Sequence, residues 1–115
     1  MTDYINEEVI IKFPEDWDLQ FKLEKKLAEY EARWEAYKEK NPFKAPEVQK
    51  NSDDFYKVRV LKELIQYKEI NTSKFAEHIK KTENFISESY FNNACAVIRD
   101  YCETGGLTVR NGTGL

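Results

Sequence analysis

The side chains that could carry catalysis or bind a metal ion are few, and their spacing matches no catalytic or metal-binding pattern. His78 is the only histidine, which argues against a metal site built on histidines. Cys95 and Cys102 are seven positions apart, a rise of about 10.5 Å on a helix. This exceeds the roughly 7 Å between Cα atoms that a disulfide allows, so we expect both cysteines to be reduced.

The sequence also lacks the loops and pairings that enzymes use. No glycine-rich phosphate-binding loop precedes a helix, and no nucleophile is paired with a histidine in a known spacing. The sequence therefore predicts a protein that is not an enzyme and that has no cofactor and no metal.

Charge is plentiful but evenly spread. The chain of 115 residues has a net charge of −3, with 34% charged and 41% apolar residues, which is typical of one small domain with a modest core. Neither half is basic, whereas strong non-specific binding to nucleic acid usually requires a basic body. The acidic N-terminus is unlike a signal peptide, and no apolar run approaches the roughly 20 residues of a membrane span. We expect a cytoplasmic protein without a membrane segment.

Residues 1–13 are predicted to form an arm, either packed on the helices or paired with the C-terminal tail. Residues 14–41 are predicted to form a long helix, because Pro14 suits a first turn and neither Gly nor Pro follows until residue 42. One apolar stripe recurs at steps of three and four: Leu23, Leu27, Tyr30, Trp34 and Tyr37. The stripe either packs on the rest of the domain, or its members Leu27, Tyr30, Trp34 and Tyr37 bind a second copy or another protein.

Residues 42–52 are predicted to be a linker, and residues 53–106 a bundle of further helices. Ser52 and Asn71 are suited to cap two of these helices. A later stripe runs through Tyr90, Ala94, Val97, Ile98 and Tyr101 and ends at two glycines, Gly105 and Gly106, which are typical of a helix stop. The fold class predicted for residues 1–115 is a single all-α domain, or a mainly α domain with a small C-terminal β-ribbon.

The pattern Phe75-Ala76-x-x-Ile79-x-x-Thr82-x-x-x-Ile86 resembles a helix-turn-helix, in which a small residue lies where two helices cross. Residues 107–115 contain Asn111-Gly112, a hairpin signal, and resemble the wing of a winged helix, although a simple tail is equally compatible. In this resemblance Thr82 caps the second helix. It implies groove contacts from Thr82, Asn84 and Ser87, and phosphate contacts from Lys74, Lys80, Lys81 and Arg110.

Two functions are compatible with these patterns. The first is a DNA-binding regulator or accessory factor similar to small proteins of bacteriophages or mobile elements, with double-stranded DNA as its partner. The second is a protein-interaction module, such as a phage-encoded inhibitor or adaptor that binds a host protein. A homodimer through the helix of residues 17–40 is a further possibility in either case.

Overall fold

The computed structural model describes residues 2–43 and 52–105. Within these ranges the fold is mainly α, as predicted, with one small antiparallel sheet. The helices are α1 (Trp17–Lys40), α2 (Asp53–Tyr67), α3 (Thr72–Glu83) and α4 (Glu88–Thr104), and the strands are β1 (Ile10–Lys12) and β2 (Glu69–Asn71). The predicted wing or tail, residues 107–115, lies outside the described residues.

Helix α1 begins three residues later than predicted, at Trp17 instead of Pro14. Asp16 caps it, because its carboxylate accepts a hydrogen bond from the backbone N–H of Asp18 at 2.9 Å. Its C-terminal end is closed by Asn41, whose side-chain amide donates to the carbonyl of Tyr37 at 2.9 Å. The predicted long helix is therefore present and capped at both ends.

Helix α2 is the centre of the bundle. Four of its side chains are completely buried: Tyr56, Val60, Leu61 and Leu64. The helix packs on both α1 and α4, and an ion pair between Glu31 and Lys62 (3.2 Å) joins it to α1. Helices α1 and α4 are thus arranged around α2. The predicted linker, residues 42–52, lies mostly outside the described residues.

Helix α4 buries a different stripe from the predicted one. Its buried residues are Phe91, Ala94, Cys95 and Ile98, whereas Tyr90 is exposed. The predicted stripe and the buried one both contain Ala94 and Ile98, and they differ in whether Tyr90 or Phe91 faces inward. The structure shows that Phe91 packs towards α2. The helix stops at Gly105, which has the left-handed φ of 68° that favours glycine.

The N-terminal arm forms a ribbon with a segment that the sequence analysis did not identify. β1 pairs antiparallel with β2, and Ile11 lies opposite Ile70, both buried. The predicted packing of the arm on the helices is therefore seen, through a strand between α2 and α3. The alternative prediction, that the arm pairs with the C-terminal tail, concerns residues outside the described ranges.

Thr72 extends this ribbon at the point where the backbone turns into α3. Its hydroxyl accepts a hydrogen bond from the backbone N–H of Val9 at 3.2 Å and donates one to the carbonyl of Glu7 at 3.1 Å. Its backbone N–H also donates to the carbonyl of Val9 at 3.0 Å. The side chain thus continues the ladder after the strand has ended.

Thr72→Val should lower the free energy of unfolding by about 1–3 kcal/mol, because an isosteric methyl leaves the N–H of Val9 and the carbonyl of Glu7 without this partner. Urea denaturation measures the change. Thr72→Ser, which keeps the hydroxyl, is the matched control and should cost less. A larger loss in the serine variant would show that packing of the methyl group matters more than the two hydrogen bonds.

Candidate interaction surface

The helix boundaries in this region differ from the predicted ones. Thr82 does not cap the second helix but lies in the last turn of α3, where its hydroxyl donates to the carbonyl of His78 at 3.0 Å. Asn84 ends α3 with a left-handed φ of 62°, and the second helix begins only at Glu88, after Ser87 at the N-cap position. The predicted cap is wrong because the Thr82 hydroxyl bonds back to its own helix.

Ser87 is fixed by a contact from α2. Its backbone N–H donates to the hydroxyl oxygen of Tyr56 at 2.8 Å, and Tyr56 also contacts Phe91 edge-on, with ring centroids 6.3 Å apart. Burial raises the pKa of Tyr56 above its ordinary value. The start of α4 is therefore held against α2 from inside the bundle.

The predicted DNA contacts are placed on more than one element. Lys74, Lys80 and Lys81 are exposed on α3, Thr82 and Asn84 are exposed at its C-terminal end, and Ser87 is half-buried. Arg110 lies outside the described residues. The exposed lysines therefore lie on the first helix of the pair.

The start of the second helix carries no positive charge. Between Thr82 and Ile98 the sequence contains neither Lys nor Arg, and Glu88 is exposed in the first turn of α4. Glu83 forms an ion pair with Arg59 of α2 at 3.0 Å. A phosphate backbone approaching α4 would thus meet a carboxylate and neutral polar groups.

The stripe predicted as an interface faces α2 of the same chain. Tyr30 is buried, Leu27 is partly buried against the core, and Trp34 contacts Phe55 edge-on with centroids 5.4 Å apart. Tyr37, which is half-exposed, stacks on Trp34 at 5.7 Å. Of the two interpretations of the stripe, packing within the domain is the one seen for these side chains.

Two cations lie near the ring of Tyr30. The guanidinium of Arg33 is 5.7 Å from the centre of that ring, and the ammonium of Lys57 is 5.2 Å away, within the range of cation–π attraction. Burial is the main cause that raises the pKa of Tyr30 to about 12. The side chain is thus a neutral, packed part of the α1–α2 contact.

The opposite side of α1 has a stripe of exposed aromatic and small residues, with one lysine, that the sequence analysis missed. We call it the outer face of α1, and it consists of Trp17, Phe21, Lys25, Ala28 and Ala32. All five side chains are exposed. Trp17 is 74% exposed and Phe21 53%, and the ammonium of Lys25 lies 5.5 Å from the Phe21 ring centre.

Sequence spacing could have revealed the outer face, since its members follow at steps of four, four, three and four. A third exposed aromatic, Phe43, is located just after α1 and is 99% exposed. Large aromatic side chains at both ends of one helix are thus open to solvent. Apolar surface of this kind often marks an interaction site.

Neither a metal site nor a membrane-spanning helix is seen among the described residues. In residues 2–43 and 52–105, no group of three or more His, Cys, Asp or Glu side chains is arranged to hold a metal ion. None of the helices in these ranges is long and apolar enough to cross a membrane.

No protein-family model matches the chain, and neither a curated protein nor a solved structure shows significant similarity to it.

Proposed function

We propose that this protein is a non-enzymatic protein-interaction module, such as an adaptor or inhibitor, that binds its partner through the outer face of α1. The observation that carries the proposal is the exposure of Trp17 and Phe21, one helical turn apart and outside the core. Aromatic residues are enriched in protein interfaces, where tryptophan is among the residues that most often dominate the binding energy.

The surroundings of these aromatic residues fit a protein partner. Asp18 and Lys22 form an exposed ion pair at 3.6 Å beside them, and Glu24 and Lys25 are exposed one turn further along. An apolar centre with a mixed charged rim is the usual anatomy of a protein interface. A nucleic acid would instead favour a surface of one sign.

A DNA-binding regulator or accessory factor is the second candidate, and the exposed Lys74, Lys80 and Lys81 of α3 favour it. The charge of α4 favours the protein partner, because Glu88 and the absence of Lys and Arg from residues 82–98 offer nothing to attract phosphate. A labelled duplex at about 50 mM salt separates the candidates. We expect no binding, whereas salt-sensitive binding whose slope flattens in Lys80→Ala/Lys81→Ala would assign the DNA function.

Site-specific photo-cross-linking tests the protein partner in the cells that make the chain. With p-benzoylphenylalanine in place of Phe21, we expect one discrete covalent adduct, because this position would lie inside the interface. Adding Trp17→Ala should remove the adduct. The matched control places the same photo-cross-linker at Tyr67, which is also exposed but lies at the end of α2. Absence of any adduct from position 21, or equal adducts from both positions, would contradict the proposal.

A further inference from the structure

We infer that the partner of the outer face is a second copy of this chain, with the two α1 helices antiparallel and Ala28 of each facing Ala32 of the other. The inference rests on the proposed function, since it identifies the occupant of the same surface. It follows from the symmetry of exposed residues along α1, from their charges and from the size of the side chains.

Two pairs of exposed residues on α1 lie symmetrically about position 30. Ala28 and Ala32 are each two positions from it, and Lys25 and Glu35 five. Trp17 begins the helix, and Phe43 follows three residues after its last residue, Lys40. At about 100° per residue, positions 17, 25, 28, 32 and 35 fall within roughly 80° of one another around the helix. An antiparallel two-fold axis at position 30 exchanges the members of each pair. The surface is therefore complementary to itself, as a two-fold dimer requires.

Small residues lie where the axis would pass. Ala28 and Ala32 are exposed at the middle of the outer face, and the separation of two packed helices depends on the side chains at their contact. Alanines at this point allow the two backbones to approach closely. Close approach then brings Trp17 and Phe21 of one chain beside the C-terminal end of the other α1, which Phe43 follows.

Charge selects the antiparallel arrangement over the parallel one. In the antiparallel pair, Lys25 of each chain lies opposite Glu35 of the other. In a parallel pair, Lys25 would face Lys25 and Glu35 would face Glu35, and like charges at such contacts are unfavourable. Glu35 is already paired with Lys38 in its own helix at 2.9 Å, so the dimer would join Lys25 to an existing ion pair.

The exposed aromatic side chains would supply about half of the area that a standard dimer interface buries. A buried aromatic side chain covers about 150–250 Å². Scaled by the exposure of Trp17, Phe21 and Phe43 (74%, 53% and 99%), these three would bury about 350–550 Å² per chain. A standard interface buries about 800 Å² per partner, and the alanines and the stems of the neighbouring charged side chains can supply the remainder.

Sedimentation of the purified full chain tests the dimer. We expect twice the monomer mass of 13.6 kDa. Trp17→Ala/Phe21→Ala should raise the dimer dissociation constant about 100-fold, as expected when interface hot spots are removed. Both side chains lie outside the core, so the helical circular dichroism should be retained. Tyr67→Ala, an equally exposed aromatic on α2, is the matched control and should remain dimeric.

Disulfide trapping tests the orientation. A mixture of Lys25→Cys and Glu35→Cys chains should form a mixed disulfide under mild oxidation, whereas each variant alone should form little. A parallel pair would instead link each variant to itself. The wild-type chain is the control for its own thiols, of which Cys95 is buried and Cys102 half-buried.

The outcomes separate this inference from the proposed function. A monomeric wild-type chain at about 100 μM, together with a position-21 adduct to a different protein, would overturn the dimer and leave the interaction module in place. A monomer without any adduct would overturn both. A dimer unaffected by Trp17→Ala/Phe21→Ala would place the interface elsewhere and overturn the inference.

Discussion

Phe91→Ala should lower the free energy of unfolding by about 3–5 kcal/mol, the usual cost of truncating a buried phenylalanine. Phe91 is completely buried where three helices meet. Its ring centre is 6.3 Å from that of Tyr56 on α2 and 6.5 Å from that of Phe75 on α3. Small domains are stable by only about 5–15 kcal/mol, so a large shift of the urea midpoint is expected.

The preceding residue provides the control for this measurement. Tyr90 is 40% exposed, and Tyr90→Ala should cost clearly less than Phe91→Ala, because part of its side chain is already in water and the space it leaves opens to solvent. The pair also tests the face that α4 buries. If Tyr90→Ala were the more destabilising change, the predicted stripe through Tyr90 would be the buried one, and the packing of α4 described above would be wrong.

Alkaline pH should lower the free energy of unfolding of this protein. Burial is the main cause that raises the pKa of Tyr30 and that of Cys102, each to about 12. Burial also raises the pKa of Cys95, and by more. In the unfolded chain these groups ionise near their ordinary values of about 8.5 for cysteine and 10 for tyrosine. The unfolded state therefore releases protons first, and stability is lost as pH rises from about 8.5 towards 12.

Between pH 8 and pH 11 Tyr30 alone should contribute about 1.4 kcal/mol to this loss, because at pH 11 the unfolded side chain is largely ionised while the folded one, with a pKa of about 12, is still mostly neutral. Urea unfolding at pH 8 and pH 11 measures the difference. Tyr30→Phe, which keeps the ring but cannot ionise, should lose less stability between the two pH values than the wild type does. Tyr67→Phe, an exposed position, should behave like the wild type. Equal losses in all three proteins would show that Tyr30 ionisation does not contribute.

Local signals were sufficient where a helix start is decided by its own residues. Asn71 was predicted as a cap, and its side chain accepts from the backbone N–H of Lys74 at 3.3 Å. Ser52 occupies its predicted N-cap position, although no hydrogen bond from its side chain caps the helix. Side-chain capping acts over three residues, so the sequence around Asn71 contains the whole interaction.

The start of α4 could not be predicted in the same way. Thr82 and Ser87 both carry a hydroxyl suited to a cap, and the residues between them do not decide between the two. At the start of α4 the backbone N–H of Ser87 donates to the hydroxyl of Tyr56, which is 31 positions away in the sequence. A contact of that separation leaves no local pattern. The strand β2 was missed for a related reason, since three residues between two helices are too few for a periodicity to appear.

The candidate site depended on knowing which side of α1 faces inward. Two stripes, one through Leu23 and Tyr30 and one through Trp17 and Phe21, both fit a helix. The first contains more large apolar residues, so the sequence alone favours it over the second as a possible interface. In the structure α2 packs on the side of α1 that carries Tyr30. Trp17 and Phe21 lie on the other side and are therefore exposed to solvent.

On the ribosome, the N-terminal arm leaves the exit tunnel well before the residues that hold it. Val9 bonds to Thr72, 63 positions later, and the backbone N–H of Tyr4 donates to the side chain of Asn92, 88 positions later, at 2.8 Å. At about 5–20 residues per second, these partners follow after roughly 3–18 s. Until then Tyr4, Ile5 and Ile11, which are buried in the finished fold, remain open to chaperones. The nascent chain can close its fold only once α4 has been synthesised.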